Sequence, residues 1–104
     1  MDRTAAQAII DAERGKIETI QKLFVDGRCP PENAAEAREL LTRLKNEWDA
    51  NLRPRGGAWV GTPLDLIMRQ ANAELSSLPR NKRPTERWWG VLSYVRTTLN
   101  LHTA

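Results

Sequence analysis

The sequence predicts an all-α fold, a compact four-helix bundle-like domain. Three observations carry that reading. Four segments place apolar residues at helical spacing, proline and glycine punctuate the stretches between them, and no segment shows the alternation of a half-buried strand. Helices are expected at about 4–26, 31–52, 63–78 and 84–99. Amphipathic helices joined by short or moderate loops favour an antiparallel bundle, with a less regular all-α packing as the alternative. At 104 residues, positions 1–104 read as a single helical domain that buries one modest core.

The first helix, Thr4 to Asp26, opens on Thr4 and Gln7, spaced as a capping box, and meets a natural stop at Gly27. Its stripe is Ala6, Ile9, Ile10, Ile17, Ile20 and Phe24, interrupted by Glu13-Arg14-Gly15-Lys16. Glu13 falls on the apolar face. It is expected to form a partly exposed pair with Lys16, with a basic partner on another helix as the alternative. Gly15 weakens the helix interior here and allows a bend. The second helix starts at Pro30-Pro31, where proline lacks only a donor the first turn does not need. Glu32 complements its dipole. The stripe Ala34, Ala37, Leu41, Leu44, Trp48, Leu52 is uninterrupted, and Glu36, Glu39 and Glu47 lie off it.

Residues 53–61, Arg-Pro-Arg-Gly-Gly-Ala-Trp-Val-Gly, exclude a regular helix. The third helix begins after Thr62 as N-cap, with Pro63 at the first position and Asp65 at the third. Its stripe is Leu64, Ile67, Met68, Ala71, Leu75 and Leu78, and Leu66 lies well off it. A basic connector, Pro79-Arg80-Asn81-Lys82-Arg83, leads to the fourth helix from Pro84. That helix carries the stripe Trp88, Val91, Leu92, Val95, Leu99, and the tail Asn100–Ala104 is expected to fray.

Composition narrows the function classes. One cysteine, Cys29, forms no internal disulfide and fits a reducing, cytoplasmic setting. No apolar run approaches the roughly 18 residues of a membrane span, and the N-terminus lacks a signal-peptide layout. Residues 1–52 carry 8 basic and 10 acidic side chains, while residues 53–104 carry 8 basic and 3 acidic together with three of the four tryptophans. This asymmetry points to an acidic partner, either nucleic acid or an acidic protein surface, with unevenly placed solubility charge as the plainer reading.

No phosphate loop, dinucleotide fingerprint, zinc-protease helix or nucleophile elbow occurs. Cys29 lies beside Arg28 and ahead of a helix N-terminus, which favours a thiolate. The lone histidine, His102, is a poor candidate for its base. One His and one Cys make no structural zinc site. The carboxylates Glu32, Glu36 and Glu39 read as solvated surface charge, and helices three and four are not spaced as a helix-turn-helix. An enzyme is therefore the least expected class, with no cofactor and no metal.

The tryptophans divide by position. Trp48 and Trp88 belong to core stripes. Trp89 lies about 100° round from Trp88, toward Ser93 and Arg96. It reads either as an exposed anchor of the kind enriched at binding hot spots or as a cover over the core's edge. Trp59, in the glycine-rich basic loop, reads either as a plug over the bundle end or as a stacking surface for bases. A bundle of alternating helices sends Arg53, Arg55 and Trp59 to the end opposite Arg80–Arg87, about 24 Å away, unless Arg69 bridges them.

The sharpest candidate site is thus Arg80, Lys82, Arg83, Arg87 and Trp89, with Arg96 on the Trp89 flank, and Arg53, Arg55 and Trp59 form a second patch. The expected function is that of a small non-enzymatic protein docking on an acidic protein surface or nucleoprotein complex by steric occlusion. In size and lack of catalytic motifs it resembles the accessory inhibitors of phages and mobile elements, anti-CRISPR proteins included, though no motif is shared. The alternatives are a direct DNA- or RNA-binding protein and a homo-oligomeric structural subunit paired through helix one or two. A monomer or homodimer is expected, with no membrane association.

Overall fold

The computed structural model describes residues 1–101, which form four α-helices, α1 (Arg3–Gln21), α2 (Ala34–Asn51), α3 (Asp65–Leu75) and α4 (Glu86–Leu101). The all-α expectation is met. Among the described residues the sole β feature is a two-residue bridge, Val25 to Arg28.

The helix ends differ from the sequence reading, each for a local reason. Asp2 caps α1 by accepting the Ala5 N–H at 2.7 Å. Gln7, expected to close a capping box with Thr4, donates to Asp11. The helix runs unbroken past Gly15 and stops at Gln21, short of Asp26. The cause is Asp26-Gly27, both at positive φ (51° and 78°), which fold Val25 back onto Arg28 as a tight primed hairpin turn. Residues 31–33 form a 3₁₀ turn before α2, and the Asn33 amide donates to the Leu23 carbonyl, tying the two helices together.

α3 has 11 residues, about 16 Å, where sixteen residues were expected. At its start, Thr62 spends its hydroxyl on the Trp59 carbonyl and the Leu64 N–H. At its end, the Ser76 and Ser77 hydroxyls bond the Asn72 and Glu74 carbonyls in competition with helix continuation. α4 continues to Leu101, so Asn100 and Leu101, expected to fray, are helical. Asn100 accepts from Arg14 at 2.9 Å. The rest of that expectation, residues 102–104, and the Cys29–His102 pair lie outside the described residues.

The helices pack in a ring, α1 on α2, α2 on α3, α3 on α4 and α4 on α1. Cross-helix bonds give the directions. Arg14–Asn100, Glu18–Arg96 and Gln21–Ser93 descend α4 as they climb α1. Lys16–Glu47 with Asn33–Leu23, and Asn72–Asp49 with Arg69–Leu52, do the same for the next two pairs. The helices therefore alternate, and the α1–α2 loop shares one end of the bundle with the α3–α4 connector. Trp48, Trp88, Ile17, Leu41, Met68 and Leu92 fill the middle of one continuous core. Leu66, the off-stripe leucine of α3, is exposed.

Candidate docking site

The connector between α3 and α4 is held at two apolar points. Leu78 and Pro84 are buried, and the residues between them, including Arg80, Lys82 and Arg83, are exposed. The sequence reason is the spacing, two nonpolar side chains six residues apart bracketing a run too basic to bury. Arg80 leans on α2, donating to the Asn46 amide oxygen at 3.3 Å. Asp49 feels the same arginine. Burial raises its pKa, but bonds from Asn72 and Lys45 and the Arg80 charge outweigh that and lower it. Lys82, Arg83 and Arg87 have no acidic partner among the described residues. Arg87 stands in the first turn of α4, where a cation opposes the helix dipole.

The α1–α2 loop adds what sequence reasoning missed. Its hairpin turn carries Arg28 to the N-terminus of α4, where it pairs with Glu86 at 2.9 Å. Arg28, Arg83 and Arg87 line a shallow groove of about 460 Å³ together with Glu86, Pro84, Thr85 and Cys29. The available signal was the Asp26-Gly27 dipeptide together with the topology, since in an alternating bundle loops one and three share an end.

Trp89 is 37% exposed. Its ring tilts against Phe24 with centroids 6.0 Å apart, and Gly27 lies close to its edge. Its position is intermediate between the two readings, one face lying on the loop and the other open. Beside it a second shallow groove of about 410 Å³ is bounded by Lys22, Phe24 and Arg96. Arg96 is partly exposed. It donates to Gln21 at 2.9 Å and Glu18 at 3.2 Å through its two terminal nitrogens, and so braces α4 to α1.

The second patch is taken apart. Trp59 is 4% exposed, and its backbone N–H bonds the Asn51 carbonyl at 3.0 Å. It is the plug over the bundle end and offers no ring for stacking on bases. Arg53 and Arg55 remain exposed at that far end. Arg69, the expected bridge, turns to Asp65 and to the Leu52 carbonyl, so the two basic clusters are not joined.

Cys29 is also corrected. Burial raises its thiol pKa, and the nearby Arg83 charge only partly opposes this, so the thiolate expected from its neighbours is disfavoured.

A buried polar cluster lies between α1 and α2. Glu13 is 3% exposed. It accepts from Lys16 at 3.2 Å, the partner the sequence suggested, but Glu13 itself is buried rather than partly exposed, because it also accepts from the Trp48 indole N–H at 3.2 Å across the helix interface. Burial, then a hydrogen bond with Glu47, pushes its pKa up to about 7. Burial also works against ionised Glu47, but its bonds to Glu13 and Lys16 prevail and lower its pKa. Lys16 reaches both Glu47 oxygens at 2.8 Å. Two carboxyls thus share one lysine and, below neutrality, one proton carried by Glu13. Both Glu13 oxygens are occupied from within the protein, which makes this a structural knot. Among the described residues no helix is long and apolar enough to cross a membrane.

No family model, curated protein or solved structure matches this chain.

Proposed function

We propose that this protein is a non-enzymatic binding protein whose docking surface is the bundle end formed by the α1–α2 loop and the α3–α4 connector. The observation that carries the reading is the presentation of Lys82, Arg83 and Arg87. Among the described residues they have no acidic partner; Lys82 and Arg83 are bracketed by buried Leu78 and Pro84, Arg87 stands in the first turn of α4, and all three lie at the same end as the half-open Trp89. An acidic protein surface, alone or within a nucleoprotein complex, supplies the carboxylates that these cations lack. A flat apolar group on that surface would cover Trp89. Cations of this kind steer association and set specificity, while a central aromatic supplies much of the affinity. The mechanism is occlusion, in which the partner's acidic site is covered by a small rigid domain.

Burial of Trp59 and separation of the two basic clusters favour this reading over a nucleic-acid track that would draw on both ends of the bundle. The test is capture from a nuclease-treated bacterial lysate by wild type and by Lys82→Glu/Arg83→Glu/Arg87→Glu. A protein retained by wild type and lost by the variant is the expected result. Retention of the same proteins by both would sink the proposal, as would capture of nucleic acid without protein when nuclease is left out.

A further inference from the structure

We infer that the groove between the α1–α2 turn and the start of α4 is a phosphoryl subsite, in which Arg28, Arg83 and Arg87 take a phosphorylated side chain of the docking partner. This subsite rests on the docking reading above and gives the partner's acidic group a chemistry. Three stretches of chain, far apart or on different elements, bring the arginines to one groove of about 460 Å³. The Arg28 backbone is fixed by its two bonds to Val25, at 2.7 and 3.0 Å, across the Asp26-Gly27 turn. Arg83 precedes buried Pro84, and a residue before proline is confined to extended backbone. Arg87 stands on the first turn of α4. Burial raises the Cys29 thiol pKa and the Arg83 charge opposes it, so Arg83 is within electrostatic reach of the thiol in the groove wall. The backbones are set in place while all three arginines stay exposed, and a ligand meets a site that needs little ordering.

The charge of the groove selects its occupant. Its lining carries three arginines against one acid, Glu86, a net charge of +2. Glu32 also acts on Cys29 but lies outside the lining. Glu86 takes Arg28 at 2.9 Å, yet the two side chains are 70% and 76% exposed, and a pair so open to water is readily exchanged. Arg83 and Arg87 have no acidic partner among the described residues. A phosphate monoester carries about −2 at neutral pH and three strong acceptor oxygens, one for each guanidinium fork. A carboxylate brings half that charge and two oxygens, and a phosphodiester of a nucleic-acid backbone brings a single charge. The Thr85 hydroxyl, also in the lining and without a hydrogen-bond partner among the described residues, adds a neutral donor.

The neighbouring surface selects a polypeptide as the carrier. Gly27, next to Arg28 in the turn, lies against the edge of Trp89, with 3.7 Å from its Cβ position to the ring. The phosphoryl groove and the aromatic groove therefore sit on either side of one turn. The aromatic groove is lined by Phe24 and Trp89 with Glu18 among its polar residues. An apolar side chain flanking the phosphorylated residue fits there, whereas Glu18 repels the next phosphate of a nucleic acid. Recognition of a phosphorylated motif by an arginine cluster is a recurring mode of peptide binding.

The test is titration of the full chain, followed by NMR amide shifts, with an acetylated and amidated glycine-rich peptide holding one phosphoserine followed by phenylalanine. Matched peptides carry serine, one glutamate or two glutamates in its place. The phosphopeptide should bind roughly tenfold tighter than either glutamate peptide, with shifts at Arg28, Arg83, Thr85 and Arg87. Arg28→Gln/Arg83→Gln should weaken it roughly tenfold with an unchanged helical circular-dichroism spectrum, whereas Arg53→Gln/Arg55→Gln, which removes the same charge at the opposite end, should not. Glu86→Gln should tighten it, because Arg28 is released. Equal affinity for the phosphorylated and two-glutamate peptides overturns the inference. So does equal weakening by the two double substitutions, or tighter binding of a 5′-phosphorylated oligothymidylate than of the phosphopeptide. Failure here is separable from failure of the docking reading. Capture that is lost with Lys82→Glu/Arg83→Glu/Arg87→Glu yet survives phosphatase treatment of the lysate keeps the docking end and removes the phosphoryl subsite.

Discussion

Replacing Glu13 with glutamine should flatten the pH dependence of stability between about pH 4.5 and pH 7. Glutamine keeps the shape of the side chain. Its amide oxygen can accept from Trp48 and its amide nitrogen can donate to Glu47, so both cross-helix contacts survive. What is lost is the titration, together with the Lys16 bond to the oxygen that becomes the amide nitrogen, a cost that does not vary with pH over this range. In the wild type the Glu13 pKa rises from 4.5 in the unfolded chain to about 7 in the fold. Between those values the folded state holds a proton that the unfolded state has released. The stabilisation linked to that proton is fully present below about pH 4.5 and is lost as pH rises through about 7. A shift of this size corresponds to about 3 kcal/mol as an upper limit, because the lowered pKa of Glu47 acts in the opposite direction. In a domain of this length that is on the order of 10 °C in melting temperature. The assay is urea unfolding of both proteins at half-unit steps from pH 4.5 to pH 8. The variant minus wild-type difference should climb by about 2–3 kcal/mol across the range and then level off. Two parallel profiles would refute the reasoning, since they would mean that Glu13 ionises normally in the fold.

Trp59→Ala should destabilise the fold by about 3–5 kcal/mol, read by chemical unfolding, because it empties a buried site at the bundle end. Gly15→Ala should stabilise α1 by about 1 kcal/mol, since nothing lies within 4 Å of the added methyl. Gly57→Ala should cost at least about 2 kcal/mol, because its Cβ would fall 2.5 Å from the Asn51 carbonyl oxygen and the loop must shift. Arg96→Ala should lower stability by about 1–2 kcal/mol through its lost bonds to Gln21 and Glu18, while partner capture stays at the wild-type level.

The apolar stripes were legible because burial leaves a periodic trace. Trp48, Leu41, Leu92 and Leu99 all lie where the 3.6-residue period puts them. The helix ends were not, because they depend on short polar side chains with two competing uses. Asp2 took the cap expected of Thr4, and the serines after α3 bonded backward and ended it early. The candidate site was legible in composition and incomplete in space. Lys82, Arg83 and Arg87 could be read from a basic run, whereas Arg28 joins them only through a turn that stops α1 five residues early. Trp59 and Trp89 show the limit of local pattern. Both neighbour arginines in the sequence, yet one is sealed into the core and the other lies half-open on Phe24. The long-range packing of the loops decided which was which.

The docking end can be tested directly by placing a photoreactive amino acid at Asn81, exposed among the cations, and separately at Arg55, exposed at the opposite end. After irradiation in a nuclease-treated lysate, position 81 should yield a discrete protein adduct that high salt suppresses, and position 55 should not. The same adduct from both positions, or an adduct to nucleic acid alone from position 81 when nuclease is left out, would contradict the account.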